Sequence, residues 1–253
     1  MKFVRFRKEK ELKYGAVEGD RVREIKGSVF SDYETSDKTF SISDIKIVAP
    51  CRPSKVIAVG LNYRSHAEEL KMDIPEEPLI FMKPPTAVVG HEENIIFPSM
   101  AKRVDYEGEL GVVIGKACRN VAARDACEYI VGYTCFNDVT ARDLQKKDIQ
   151  FTRSKSFDSF APMGPFIETE LDPDNTRIES FLNGEKKQSG STRDLIFSVD
   201  SLVCFISRIM TLLPGDVIAT GTPAGIGPMQ VGDIVEVKID GIGTLKNSVV
   251  RGK

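Results

Sequence analysis

Two glutamates, Glu107 and Glu109, stand two residues apart at the entrance of an apolar run, Leu110-Gly111-Val112-Val113-Ile114. A run of this length bounded by polar residues reads as a buried strand. On a strand, residues i and i+2 face the same way, so both carboxylates aim at one spot. Two like charges beside a core are costly unless something neutralises them. A divalent cation does so, and a donor set of hard oxygens without cysteine selects Mg²⁺, Mn²⁺ or Ca²⁺. The competing reading is a solvated strand end, and the apolar residues that follow weigh against it.

Further residues converge on the same chemistry. Tyr133-Thr134-Cys135-Phe136-Asn137-Asp138 reads as a second strand ending in an acid. Placed beside the first, it makes Asp138 a third carboxylate and leaves coordination positions open for water or a chelating substrate. Asp143 is expected to pair with Arg142 or Lys146 in solvent. A buried strand, Val56–Gly60, leads into Asn62-Tyr63-Arg64-Ser65-His66-Ala67-Glu68-Glu69. On a helical turn His66 and Glu69 are neighbours, and a carboxylate that orients an imidazole makes a general base. Glu68 then faces solvent, and His91, set among turn residues and charges, is expected on the surface. Lys155 lies close to a Pro/Gly-bounded apolar segment and is a candidate to line a pocket. Thr220–Gly227 is Gly-rich but lacks the Lys-Ser/Thr of a Walker A loop; its backbone N–H groups and the Thr222 hydroxyl suit a carboxylate.

Composition closes off other classes. In 253 residues, 41% are hydrophobic and 28% charged, which is ordinary for a globular chain. Lys plus Arg is 35 against Asp plus Glu 37, a net charge of −2, so the excess of cations that drives nucleic-acid binding is missing. No apolar run approaches the ~20 residues of a membrane span. Met1–Arg5 is followed by charges, so no secretory leader is expected, and the five cysteines, odd in number and without a CxxC pair, suit reduced thiols in the cytoplasm. Neither histidine lies at zinc-ligand spacing from a cysteine.

Residues 1–52 read as a small N-terminal β domain that must dock to bury its apolar side chains, with Pro50–Pro53 as connector and 53–253 as the main domain. Strands are expected at Lys2–Phe6, Arg21–Ile25, Thr39–Ile42, Val217–Ala219 and Ile234–Ile239. Short helices are expected at Ala122–Ile130, capped by Asn120, and after the N-cap Ser198, where Leu202, Val203, Phe205, Ile206, Ile209 and Met210 recur at helical spacing. Without a regular βα alternation, the expected architecture is mainly β with a few helices, α+β, mixed and largely antiparallel.

Taken together, the strings Gly60–Glu69, Asp105–Leu110, Asn137–Gln145, Lys155–Asp158, Pro162–Pro165 and Pro214–Pro223 resemble the fumarylacetoacetate hydrolase family, in the family's order and over roughly 55 to 250. Residues 1 to ~50 resemble the small N-terminal domain of many bacterial and archaeal members. The resemblance implies rolled mixed β-sheets and a homodimer. It implies Mg²⁺, with Mn²⁺ able to substitute, held by Glu107, Glu109 and Asp138. It makes His66 and Glu69 a catalytic dyad on a lid, adds Lys155 to the catalytic set, and places Tyr63, Arg142, Gln145, Lys155 and Thr222 against the substrate. That substrate is a small 2-oxo acid or 1,3-dioxo carboxylate. The implied outcomes are acylpyruvate-type hydrolysis, decarboxylation, and tautomerisation or isomerisation of 2-hydroxy-dienedioates, all through a shared enolate. Two rival readings are a metal-dependent phosphodiesterase, disfavoured by the charge balance, and a non-catalytic Ca²⁺-binding β module. The latter predicts that replacing His66 changes nothing.

Overall fold

Alternation of charge and bulk from Lys2 onward makes the first forty residues a four-stranded antiparallel meander. Its strands are Lys2–Lys8, Glu11–Glu18, Arg21–Gly27 and Tyr33–Ser41. Val4, Phe6 and Val22 bury together on one side of it. A unit this small buries little surface alone. Its edge is not left open: Lys2 and Phe3 pair with Glu168 and Ile167 of strand Ala161–Glu168, so the meander continues into the main sheet. The computed structural model that shows this arrangement describes residues 1–252.

From Ala161–Glu168 the sheet runs on through Ile130–Asn137, Gly108–Ile114, Val217–Ala219, Val56–Val59 and Ile80–Lys83. A five-stranded sheet (Glu185–Ser191, Arg177–Leu182, Ile234–Ile239, Gly243–Arg251, Ile95–Phe97) and a three-stranded one (Thr140–Ala141, Val104–Tyr106, Gly227–Met229) complete the β structure. Among the described residues three pairings are parallel, 217–219 with 56–58, 161–162 with 88–89 and 249–251 with 95–97; the other pairings between strands are antiparallel. The architecture is thus mainly β, mixed and largely antiparallel, as the absence of βα alternation requires. Among the described residues no helix is long and apolar enough to cross a membrane.

Strand Gly108–Ile114 is buried along its whole length. Its two faces feed different cores: Leu110, Val112 and Ile114 pack with Ile57, Leu202 and Ile206, while Val113 joins Val56, Phe136 and Val217 on the other side. That is why its sequence is continuously apolar and not alternating. Helix Val199–Ile209 covers the first face. Ser198 caps it, its Oγ accepting from the Ser201 N–H, and Leu202, Val203 and Ile206 are its buried stripe. Ile209, counted by spacing with that stripe, is about half exposed at the last turn.

The expected helix at 122–130 forms as a 3₁₀ segment, Ala123–Tyr129, and Asn120 does not cap it. Ala122 occupies the capping position. Asn120 sits two residues too early, in the left-handed region, with its Oδ1 accepting from Arg119 Nη1. His91 is half-buried and not a surface residue: its Nδ1 accepts from the Lys246 N–H. Asp143 does not pair with Arg142 or Lys146 either; its carboxylate accepts from the Lys102 and Arg103 N–H groups and ties down that turn.

Asp216, buried at the turn before Val217–Ala219, gathers the N–H groups of Ser54, Lys55 and Leu213, the Ser54 hydroxyl at 2.7 Å and the Lys55 ammonium. It fastens the connector to the strand that carries the Gly-rich loop. Asp216→Ala leaves these donors unpaired, which costs about 3–5 kcal/mol for a buried charged partner. At about 2–4 °C per kcal/mol for a chain of this size, thermal melting should fall by roughly 10 °C.

Candidate metal centre and active site

Antiparallel pairing of Gly108–Ile114 with Ile130–Asn137 sets Gly108 opposite Asn137 and Glu109 opposite Phe136. This register carries Asp138, one residue past the strand, to the Glu pair. Glu107 lies at a break between strands Val104–Tyr106 and Gly108–Ile114, and side chains take over the ladder there. The Glu107 N–H donates to Asn137 Oδ1, the Gly108 N–H to Gln188 Oε1, and the Gly108 carbonyl accepts from Thr222 Oγ1. A Cβ at 108 would lie 2.2 Å from Ser180 Oγ, so the close approach requires glycine. Ligand oxygens of Glu107, Glu109 and Asp138 lie within 4.8 Å of one another, and all three side chains are buried.

Cations already surround two of the three acids. Lys155 Nζ bridges Glu107 Oε2 at 2.9 Å and Asp138 Oδ2 at 2.6 Å. Lys83, fully buried, binds Asp138 Oδ1 and donates to the Val139 carbonyl. Arg142 contacts Glu107 through Nη2, Asp105 through Nε and Gln145 through Nη1. Burial pushes the Glu107 carboxyl up, but Lys155 and Arg142 outweigh it and hold the group well below the usual range. Burial pulls the Lys83 ammonium down to about 8 even though Asp138 opposes it. For Lys155 the balance tips the other way, since Asp138 and Glu107 overcome burial and raise it.

Glu109 is different. Among the described residues it has no cation partner; its Oε2 accepts only the Gly221 N–H, at 2.8 Å. Burial, then the charges of Asp138 and Glu107, push its carboxyl well above the ordinary value. Nearby, the Tyr63 hydroxyl is buried with no partner among the described residues, and burial and Glu109 both raise it. A buried, cation-free carboxylate beside two others is the setting a divalent ion satisfies. The three acids could therefore hold a metal ion through hard oxygen donors.

Helix Arg64–Leu70 puts His66 Nδ1 2.9 Å from Glu69 Oε2, the i,i+3 contact that the spacing implies. His66 is buried, and Glu69 and Glu68 are exposed. The helix is pinned to the Gly-rich loop: the Gly225 N–H donates to Glu69 Oε1 and the Ala224 N–H to Ser65 Oγ. Asn62 supports it from below, bonded to the Phe197 N–H and to the Phe197 and Thr220 carbonyls. Of the residues that the resemblance places against substrate, Tyr63, Arg142, Gln145, Lys155 and Thr222 all come within this constellation. Arg142 is spent on Asp105, Glu107 and Gln145, and Thr222 on Gly108 and Gln188.

Sequence reasoning misses Lys83, Asp105 and Gln188. Lys83 has one signal, a lysine closing the half-apolar strand Ile80-Phe81-Met82 before Pro84-Pro85. Asp105, held by Arg103 and Arg142, and Gln188, which reaches Gly108, Thr222 and Pro223, carry none.

Comparison with known proteins shows the family. Residues 55–250 match the model for the fumarylacetoacetate (FAA) hydrolase C-terminal region, and residues 1–50 match the Rv2993c-like N-terminal model. The chain is 44% identical over 225 residues to oxaloacetate tautomerase YisK of Bacillus subtilis, covering 83% of this chain and 75% of that one. It superposes on 5-carboxymethyl-2-hydroxymuconate delta-isomerase from Mycobacterium smegmatis with a TM-score of 0.94 at 42% identity, both chains covered in full. Maleylpyruvate hydrolase from Sphingobium sp. SYK-6, in complex with manganese(II) and pyruvate, aligns over both full chains with a TM-score of 0.84 at 28% identity. With matches over both of its segments, the chain belongs to the fumarylacetoacetate hydrolase family and is an enzyme of that family.

Proposed function

We propose that the enzyme acts on small 2-oxo dicarboxylates and moves a proton at the carbon next to the 2-oxo group, interconverting keto and enol forms. The observation that carries this is the buried, cation-free Glu109 beside Glu107 and Asp138, with the His66–Glu69 pair close by. A Mg²⁺ or Mn²⁺ ion held by the three carboxylates supplies Lewis acidity that lowers the cost of negative charge on a substrate oxygen. Glu69 accepts from His66 Nδ1, which leaves Nε2 as the basic nitrogen. From there it can take the proton from the substrate carbon and pass it to the 2-oxo oxygen, and in reverse take it from the enol oxygen and return it to the carbon. Lys155, buried and held protonated by its acids, offers a fixed positive charge to an anionic substrate. The oxaloacetate tautomerase activity named for the Bacillus relative supports this reading.

A second reading, C–C cleavage of an acylpyruvate or loss of CO₂, uses the same enolate, and the maleylpyruvate hydrolase likeness favours it. Product analysis separates them. With Mg²⁺, enol oxaloacetate should lose its ultraviolet absorbance well above the uncatalysed rate, faster than pyruvate appears from oxaloacetate or from any acylpyruvate. Pyruvate release that outpaces tautomerisation would replace the first reading with the second.

A further inference from the structure

We infer that a second anion site lies in a cavity of about 470 Å³ where Arg5, Arg7 and Arg52 converge, and that it takes a small molecule bearing two or three carboxylate or phosphate groups. Arg5 is only 6% exposed, yet of its five N–H donors the only bond among the described residues runs from Nη1 to the Ala49 carbonyl, at 3.1 Å. None of the three arginines makes an ion pair among the described residues, although Arg23, Arg103, Arg142 and Arg153 all do. A buried guanidinium without a counter-charge is costly. Here burial, with Arg52 and Arg7 adding repulsion, lowers its pKa.

Besides the arginines, the cavity is lined by Val48, Ala49 and Pro53. Glu93 is its single acid, and its Oε2 is taken by the Gly90 N–H at 2.7 Å. Three positive charges against one negative leave an excess of two, which sets the ligand as a dianion or trianion. Guanidinium forks match carboxylate and phosphate alike, and the cavity suits a compact metabolite. The site is built where the N-terminal meander meets the Pro50–Pro53 connector, and it owes nothing to the acids of the metal centre.

Calorimetric titration of the Mg²⁺-loaded full chain with tricarballylate and with inorganic phosphate, at physiological ionic strength, tests this. One saturable site per chain is expected, and the tighter of the two probes identifies the ligand's anionic group. Arg52→Ala should weaken binding about tenfold or more, since a charge-assisted bidentate contact is lost, and Arg5→Met should abolish it. Should Arg5→Met not fold, the Arg7→Ala/Arg52→Ala pair, both exposed, decides by the same loss. Glu109→Ala should leave anion binding intact, which separates this site from the metal centre. Absence of saturable binding by either probe, binding indifferent to Arg7 and Arg52, or binding lost with Glu109 would overturn the inference.

Discussion

His66→Ala should lower turnover of the preferred 2-oxo acid by about 10²–10⁴-fold, the usual worth of a positioned proton acceptor. His66 is buried on the helix pinned against the Gly-rich loop, and its side-chain partner among the described residues is Glu69. Divalent affinity should stay near wild type, because the imidazole supplies none of the three carboxylate oxygens. Glu69→Gln keeps a partner for the ring but loses the charge, so it should act in the same direction and more weakly. The two outcomes also sort reactions. Acylpyruvate hydrolysis needs a base to activate water and should fall by the full factor. Decarboxylation of oxaloacetate needs only enolate stabilisation and later reprotonation, and should fall by less. Steady-state rates on both substrates, with titration of Mn²⁺ into each variant, read this directly. Full turnover without His66 would remove it from the mechanism.

Glu109→Gln should have opposite effects with and without metal. In the wild type without divalent ions, a buried carboxylate faces Asp138 and Glu107 with no cation of its own. Burial and those neighbours oppose ionisation there, so replacing the group with a neutral isostere removes the cost of holding it either charged or protonated at neutral pH, about 1–3 kcal/mol. For a chain of this size the metal-free melting temperature should therefore rise by roughly 3–10 °C. Saturating Mg²⁺ should stabilise the wild type, as any ligand of the native state does, and leave the variant unmoved. Glu109→Ala should likewise abolish divalent binding while the fold persists. Thermal melts with and without Mg²⁺ provide the check. A variant that melts lower than wild type without metal, or that gains as much from Mg²⁺, contradicts the role given to Glu109.

The acid cluster was legible because two local periodicities converge on it. Spacing of two aims Glu107 and Glu109 together, a strand-ending acid supplies Asp138, and i,i+3 spacing joins His66 to Glu69. The fold class followed from continuous apolar runs and the absence of βα alternation. What escaped depends on register between distant segments. Lys83 meets Asp138 across 55 residues, and Gln188 meets Gly108 across 80. No local pattern in either segment marks such a pairing, since it exists only once the sheets have closed. Asp143 illustrates the converse error. Charge complementarity within a helix suggests Arg142 or Lys146, but backbone N–H groups at Lys102 and Arg103 hold the carboxylate, while Arg142 turns inward to the acids. The break at Glu107 is also invisible in sequence, because nothing in Val104–Leu110 marks where side chains replace the ladder.

Proton exchange at C3 of oxaloacetate in D₂O, followed by NMR with and without Mg²⁺, tests most directly whether the three carboxylates and the histidine form one proton-moving centre. Exchange should exceed the uncatalysed rate only with the divalent ion present, vanish in Glu109→Gln, and fall about 10²-fold or more in His66→Ala. Exchange that persists in Glu109→Gln, or that is equally fast when the ion is chelated, would contradict the assignment of this site.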